Sequence, residues 1–190
     1  MKNNIIRGFA TLLLGAISYF AVENYTGEDL ILEDGTVLET EQLSHHVSSK
    51  YKDREIDTVT VYLHHTVTSK NASVESINQI HINNGWERLS YHVLIRDNGT
   101  IQLINPFSKY TYHTKGKNQK GIAIALVGNY EEEKPSKEMI EATRYVIETL
   151  CNTPNLYVES IKGHKDVKAT LCPGKYAYSE FKDLFYNATK

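Results

Sequence analysis

The sequence has little that would favour a nucleic-acid partner or a repeat architecture. Its 21 Lys and Arg residues nearly balance 23 Asp and Glu residues, so the net charge is −2 and no overall positive field attracts nucleic acid. The chain has only two cysteines, Cys151 and Cys172, which allow one disulfide, two buried thiols or one metal ligand. We find no internal repeat and no low-complexity tract. A chain of 190 residues can form one domain with a substantial hydrophobic core.

An apolar run over residues 9–22 is too short for a full membrane span and fits the core of a signal peptide better. Lys2 and Arg7 precede it, and no clear cleavage site follows it, so it is either a signal peptide or an uncleaved membrane anchor. The positive-inside rule then places the rest of the chain outside the cytoplasm, as a secreted, periplasmic or outer-face-anchored protein. The alternative is a buried N-terminal helix.

The charge pattern changes after this run. Residues 23–49 contain seven acidic residues and no Lys or Arg, which indicates a spacer with a small hairpin around Asp34-Gly35. We expect His45 and His46, in the same stretch, to be solvated. The sequence therefore predicts a signal peptide or anchor in residues 1–22, an acidic spacer in residues 23–50 and one folded domain in residues 51–190.

The folded domain has a mixed pattern of strands and helices. Alternation and continuous apolar runs predict strands over residues 58–65, 90–96, 101–104, 122–127 and 158–162. Ser73 and Ser136 are suitable N-caps for helices through Asn84 and Leu150, and a terminal helix is predicted over residues 179–186. Asn98-Gly99 predicts a hairpin with a type I′ turn. The predicted fold class is α/β, a single domain whose central mixed β-sheet has helices on both faces.

Three side chains could form a metal site. His64 ends a predicted strand, and His164 and Cys172 lie in a later loop. Two imidazoles, one thiolate and a fourth position for water make the composition of a catalytic zinc site. A histidine at a strand end is nevertheless more often a packed residue, and the spacing His-x₇-Cys is not a recognised zinc pattern. Composition and spacing alone leave both interpretations open.

Five segments, in order, resemble the type-2 N-acetylmuramoyl-L-alanine amidases, a family that includes phage endolysins and peptidoglycan recognition proteins. The segments are VYLHHT (61–66), WERLSYHVLI with DNGTI (86–101), His113 with Asn118, GIAIALVGNY (121–130) and HKDV with TLCPG (164–174). They span roughly residues 57–175. The resemblance implies the fold of these amidases, Zn²⁺ as cofactor, and hydrolysis of the amide between the lactyl group of muramic acid and L-alanine in peptidoglycan.

The resemblance also implies roles for individual residues. The implied zinc ligands are His64, His164 and Cys172. The implied catalytic residues are Tyr91, at the position of the family's tyrosine, and Thr170, where phage members often carry lysine. The implied substrate-binding residues are His113 and Asn118, although His113 is equally suited to supporting its loop.

The remaining histidines and the second cysteine have structural interpretations. Strand alternation puts His65 on the opposite face from His64, so we expect His65 to be packed in the core. Structural roles are also expected for His81, His92, Asp166 and Cys151, the last as a buried thiol.

Two other functions share the same fold and part of the same site. One is a non-catalytic peptidoglycan-binding module, and the other is a zinc hydrolase that acts on a different N-acyl amino acid. Family members that only bind typically lack the cysteine, so Cys172 favours an enzyme. The expected partner is a muropeptide, not nucleic acid, and we expect a monomer with a possible membrane tether. Lysis, cell-wall recycling, toxin action and host defence all remain open as the biological setting.

Overall fold

The computed structural model describes residues 52–187, together with the backbone of residues 30–31, 37–38 and 40–42. The predicted export segment (residues 1–22), the Asp34-Gly35 turn and His45-His46 lie outside the described residues. Across the described residues, none of the helices has both the length and the apolar character needed to span a bilayer.

The described strands form one large sheet and one small ladder. The small ladder pairs β1 (Leu30–Ile31) with β2 (Val37–Leu38) in antiparallel orientation. The large sheet consists of β3 (Thr40–Gln42), β4 (Thr58–His65), β5 (Val93–Ile95), β6 (Ile101–Leu103), β7 (Gly121–Leu126), β8 (Tyr157–Gly163) and β9 (Tyr186–Asn187). Its order is β3-β6-β5-β7-β4-β8-β9. The pairs β5–β6 and β8–β9 are antiparallel and the others are parallel, so the sheet is mixed, as predicted.

Helices cover both faces of this sheet, as the sequence predicts. They are α1 (Val74–Asn83), α2 (Lys137–Cys151) and α3 (Lys175–Glu180). Helices α2 and α3 pack on the β4 face that carries Val61 and Leu63, whereas α1 packs against the other face. The predicted N-caps are present, since the side chains of Ser73 and Ser136 each accept a hydrogen bond from the backbone three residues later, at 3.1 Å.

The N-terminal region contributes to the large sheet. Strand β3 lies within the segment predicted to be a spacer, and it pairs with β6 at one edge of the sheet. The other two N-terminal strands pair with each other, Leu30 with Leu38 and Ile31 with Val37.

Two predictions of local backbone structure are wrong. The turn between β5 and β6 is not type I′, because Gly99 has a positive φ (87°) and Asn98 does not. Arg96 instead pairs with Thr100 across a three-residue loop that ends in the left-handed glycine. The chain end is also not one helix, because α3 ends at Glu180 and the chain then returns as β9 beside β8.

The second predicted strand is shorter than expected, and one cysteine is placed differently. Strand β5 begins at Val93, because the Asn105 side-chain amide binds the carbonyl oxygens of Leu89 and Tyr91 in place of a ladder partner. Cys151, the last residue of α2, is exposed and not buried as predicted, although the preceding Leu150 lies in the core. Cys151 and Cys172 are both free, so the disulfide alternative does not hold.

Candidate metal centre

Sheet register places the two histidines side by side. Leu63 of β4 is paired with Gly163 of β8 in a parallel ladder. His64 and His164 are the next residues along these two strands, and neighbouring strands lie about 4.8 Å apart. Their ring centroids are 4.5 Å apart. The adjacency of these residues, a hundred positions apart in sequence, therefore follows from the pairing of two buried strands.

The loop after β8 brings Cys172 to the same point. Its sulfur is 3.6 Å from Nδ1 of His64 and accepts a hydrogen bond from the backbone N–H of His65 at 3.4 Å. The carbonyl oxygen of Cys172 accepts from the backbone N–H of Lys165 at 2.8 Å. The ligand atoms of His64, His164 and Cys172 all lie within 4.8 Å of one another. The three side chains that the sequence suggests as ligands are thus together.

Gly174 holds this loop against the rest of the domain. Its φ is +91°, and a Cβ built on it would lie 2.2 Å from the carbonyl carbon of Tyr130. The backbone of Tyr130 is itself held in place, because the N–H of Tyr130 donates a hydrogen bond to Nδ1 of His65 at 3.1 Å. A side chain at position 174 would therefore push the cysteine loop away from its neighbour.

The donor set fits a tetrahedral zinc ion. Nitrogen and sulfur ligands about 2.1 and 2.3 Å from such an ion lie roughly 3.6 Å apart, which matches the distance between His64 Nδ1 and Cys172 Sγ. The set consists of two imidazoles and one thiol, with no carboxylate. Nitrogen and sulfur ligands favour zinc, whereas Mg²⁺ and Ca²⁺ prefer oxygen ligands.

Burial sets the protonation of these groups. It lowers the pKa of His64 well below its usual value, and the neighbouring imidazoles of His113 and His164 add to this effect. Burial also lowers the pKa of His164, helped by the charge of Lys168. Both rings therefore have a free lone pair near neutral pH. Burial raises the pKa of the Cys172 thiol to about 12, with the His65 N–H acting against it, so the thiolate needs a nearby cation.

Tyr91 lies beside His64, one of the three candidate ligands. Its ring centroid is 5.3 Å from that of His64 and 5.0 Å from that of His81. Burial, followed by the charge of the Cys172 thiolate, raises the pKa of Tyr91 above its ordinary value. The phenol consequently keeps its proton at neutral pH and can act as a hydrogen-bond donor.

Thr170 lies on the same loop as Cys172 but is exposed. Its hydroxyl oxygen accepts a hydrogen bond from the backbone N–H of Cys172 at 3.2 Å. This contact helps to fix the turn that presents the sulfur, and it leaves the hydroxyl hydrogen of Thr170 available to a bound molecule.

The loop that precedes β7 also packs against His64. His113 is buried, and its ring meets that of His64 edge-on, with centroids 5.5 Å apart. Asn118 is also buried, and its side-chain oxygen accepts from the backbone N–H of Thr114 at 2.7 Å. Sequence reasoning missed Thr114, whose hydroxyl lies 3.4 Å from Nε2 of His64. The sequence shows only that Thr114 follows His113, and this does not indicate a role until the contact with His64 is known.

The other histidines have structural partners. His65 faces the core opposite His64. Nδ1 of His81 accepts from the N–H of Ser90, and Nδ1 of His92 accepts from the N–H of Ala123, both at 3.0 Å. Asp166 supports its loop, because its carboxylate accepts from the N–H of Gly163 at 2.8 Å and from the hydroxyl of Tyr178 at 2.7 Å.

A histidine at a strand end, a second histidine directly after the neighbouring strand and a loop cysteine define a protein with a candidate metal centre on an α/β sheet. Comparison with known proteins identifies its family. The family model of N-acetylmuramoyl-L-alanine amidase matches residues 52–175, so the chain belongs to this family. The match extends from before β4 to the start of α3.

Individual relatives agree with this assignment. A peptidoglycan-recognition protein of Drosophila simulans is 29% identical over 133 residues, which cover 64% of this chain and 71% of the relative. The solved structure of the N-acetylmuramoyl-L-alanine amidase LysC from Clostridium intestinale is 27% identical, with a TM-score of 0.63, covering 76% of this chain and 96% of LysC. Bumblebee PGRP-SA is 25% identical, with a TM-score of 0.65, covering 77% of this chain and 95% of the other.

Proposed function

We propose that this protein is a zinc-dependent N-acetylmuramoyl-L-alanine amidase that hydrolyses the amide between the lactyl group of muramic acid and L-alanine. The observation that carries the proposal is the close approach of His64, His164 and Cys172 in a chain of the amidase family. A bound Zn²⁺ would polarise the scissile carbonyl and lower the pKa of water. The three side chains would hold the ion from one side and leave a position open for substrate.

Tyr91 and Thr170 act on the substrate in this proposal. Both can donate a hydroxyl hydrogen, and hydrolysis of an amide places negative charge on the former carbonyl oxygen. Tyr91, protonated and next to His64, donates to that oxygen. Thr170 lies two residues before Cys172 and donates from the exposed rim of the loop. Loss of one such donor typically lowers turnover about 10²- to 10³-fold.

A cavity on the sheet face that carries His64 suits the peptide part of the substrate. The cavity is about 430 Å³ in volume, and Tyr62, on the same β4 face as His64, forms part of its wall. Three of its lining residues are lysines: Lys117, Lys120 and Lys162. Stem peptides carry free carboxylates, whereas the sugar hydroxyls and acetamido groups are neutral. We therefore place the stem peptide over this cavity and the glycan on the opposite side of the metal centre.

The proposal also covers the export of the protein and its oligomeric state. We propose that residues 1–22 direct the protein out of the cytoplasm, either as a cleaved signal or as a tether to the outer face of the membrane. In this arrangement the part of residues 23–50 that precedes β3 would separate the tether from a monomeric catalytic domain, because β3 already belongs to the large sheet of that domain. Peptidoglycan, the implied substrate, lies on that side of the membrane.

A non-catalytic peptidoglycan-binding module is the second candidate. It is favoured by the similarity to proteins whose names describe peptidoglycan recognition, but it gives no role to the buried Cys172 thiol. Purified protein loaded with Zn²⁺ and incubated with defined muropeptides separates the two candidates, with mass detection of the released stem peptide.

Cys172→Ser tests the proposed ligand set in the same assay. We expect it to abolish release of stem peptide, since serine is a poor zinc ligand, whereas the exposed Cys151→Ser control should keep full activity. Unchanged cleavage by Cys172→Ser would reject the ligand assignment. Binding of muropeptide without cleavage by the wild-type protein would instead favour the binding module.

A further inference from the structure

A row of hydrogen-bonding groups connects the backbone of β7 to His64. Nε2 of His113 lies 3.3 Å from the carbonyl oxygen of Gly121, and Nδ1 of His113 lies 3.0 Å from the hydroxyl oxygen of Thr114. The same hydroxyl oxygen lies 3.4 Å from Nε2 of His64. All four residues are buried.

The carbonyl group at one end of this row determines which groups donate and which accept hydrogen bonds. A carbonyl oxygen can only accept, so Nε2 of His113 must carry the hydrogen that faces Gly121. In a neutral imidazole the other nitrogen is then an acceptor, so the Thr114 hydroxyl donates to Nδ1 of His113. That hydroxyl has one hydrogen, and it can offer only a lone pair to Nε2 of His64. His64 must therefore carry its hydrogen on Nε2.

The orientation of His64 follows from this assignment. With the hydrogen on Nε2, the lone pair of the neutral ring is on Nδ1, which faces the Cys172 sulfur at 3.6 Å. A ligating histidine commonly donates its other N–H to a neighbouring group, and this fixes both the tautomer and the angle of the ring.

We propose that Thr114 and His113 are positioning residues that hold His64 in the tautomer and orientation required for metal binding. The proposal rests on the proposed function, because it treats His64 as a metal ligand. It also replaces the expected substrate contact of His113 with a role inside the protein. Asn118 supports the same arrangement by fixing the backbone N–H of Thr114.

The backbone at Gly121 is shaped for this arrangement. A Cβ built on Gly121 would lie 2.6 Å from Cε1 and 2.7 Å from Nε2 of His113. It would also lie 2.9 Å from the carbonyl oxygen of Lys117, which cannot move away as a flexible side chain would. The absence of a side chain at position 121 therefore allows the close approach that orients His113.

Zinc affinity tests the proposal independently of catalysis. We would measure the Kd for Zn²⁺ by competition with a chromophoric chelator for wild-type protein, Thr114→Val, Thr114→Ser and Thr111→Val. Thr114→Val keeps the shape and removes the hydroxyl, and we expect it to weaken zinc binding about 10- to 100-fold. Thr114→Ser should restore the affinity. Thr111 is a matched control, because it is fully buried and its hydroxyl has no partner among the described residues.

Equal zinc affinity of Thr114→Val and wild-type protein would overturn the proposal. A second measurement covers the case in which Thr114→Val does not fold. Nitrogen-15 NMR of the wild-type imidazoles should show the hydrogen of His64 on Nε2, and a hydrogen on Nδ1 would overturn the proposal. Failure of the proposed function would look different, because zinc would still bind with the expected order of affinities while muropeptides stayed intact.

Discussion

Replacement of His81 by asparagine should reduce the loss of stability in mild acid. His81 is buried on α1, and Nδ1 accepts the backbone N–H of Ser90 at 3.0 Å. Burial lowers the pKa of His81 from 6.5 to about 4, against a smaller opposing effect of the Arg88 backbone. The side-chain oxygen of asparagine can occupy the position of Nδ1 and keep the hydrogen bond, but it does not titrate.

The direction of the change in stability depends on whether the folded or the unfolded state binds the proton at the higher pH. The folded pKa lies below the unfolded value, so the unfolded chain is protonated at a higher pH than the folded chain. The contribution of His81 to stability is therefore complete above about pH 6.5 and is lost as the pH falls toward about 4. At about 1.4 kcal/mol per pH unit, this one group removes about 2 kcal/mol from the free energy of unfolding between pH 7.5 and pH 5.

Urea unfolding, followed by circular dichroism at several pH values between 7.5 and 5, measures this effect. His81→Asn has its own cost at pH 7.5, so the comparison is between the slopes of stability against pH. The variant should lose about 2 kcal/mol less than wild-type protein over this range. Ile80→Asn, at an exposed position of the same helix, is the control and should keep the wild-type slope. Parallel slopes for wild-type protein and His81→Asn would refute the reasoning.

Three further predictions concern the proposed site. Tyr91→Phe should lower kcat about 10²- to 10³-fold without changing the Kd for Zn²⁺, and unchanged turnover in a muropeptide assay would remove Tyr91 from the mechanism. Gly174→Ala should displace the cysteine loop, weakening zinc binding and lowering Tm, whereas Gly85→Ala, which also has a positive φ but open space around it, controls for backbone strain. Lys117→Gln should raise KM several-fold with little change in kcat, and Lys182→Gln should not; equal KM values would argue against the placement of the stem peptide.

Periodicity and chain order were sufficient to predict much of the fold. Strand β4 has the predicted bounds, and its alternation correctly places His65 in the core, opposite His64. The N-caps Ser73 and Ser136 are also correct. These features depend on short-range geometry, which repeats along a strand or occurs at a helix end, and a sequence reports such geometry directly.

The errors arose where contacts distant in sequence decide the structure. The chain end has enough helical residues for one helix, but pairing with β8 turns Tyr186 into a strand residue, and its hydroxyl bonds the carbonyl oxygen of Val158 at 2.9 Å. The contact between Thr114 and His64 joins residues fifty positions apart, through a loop without any regular period. Register between β4 and β8 likewise became visible only in the folded sheet.

The cysteine loop, which follows β8 and carries Cys172, is held in place by contacts on the face of the sheet opposite the metal centre. His65 contacts the Cys172 sulfur through its backbone and Tyr130 through its ring, and Tyr130 lies against Gly174, two residues beyond that sulfur. Every one of these contacts is made between two groups of the protein. The apoprotein should consequently be preorganised, with little ordering cost when a metal enters, and a chelator should strip the ion while the far-UV dichroism stays native. Zinc fingers behave in the opposite way, because their folding free energy comes from the metal.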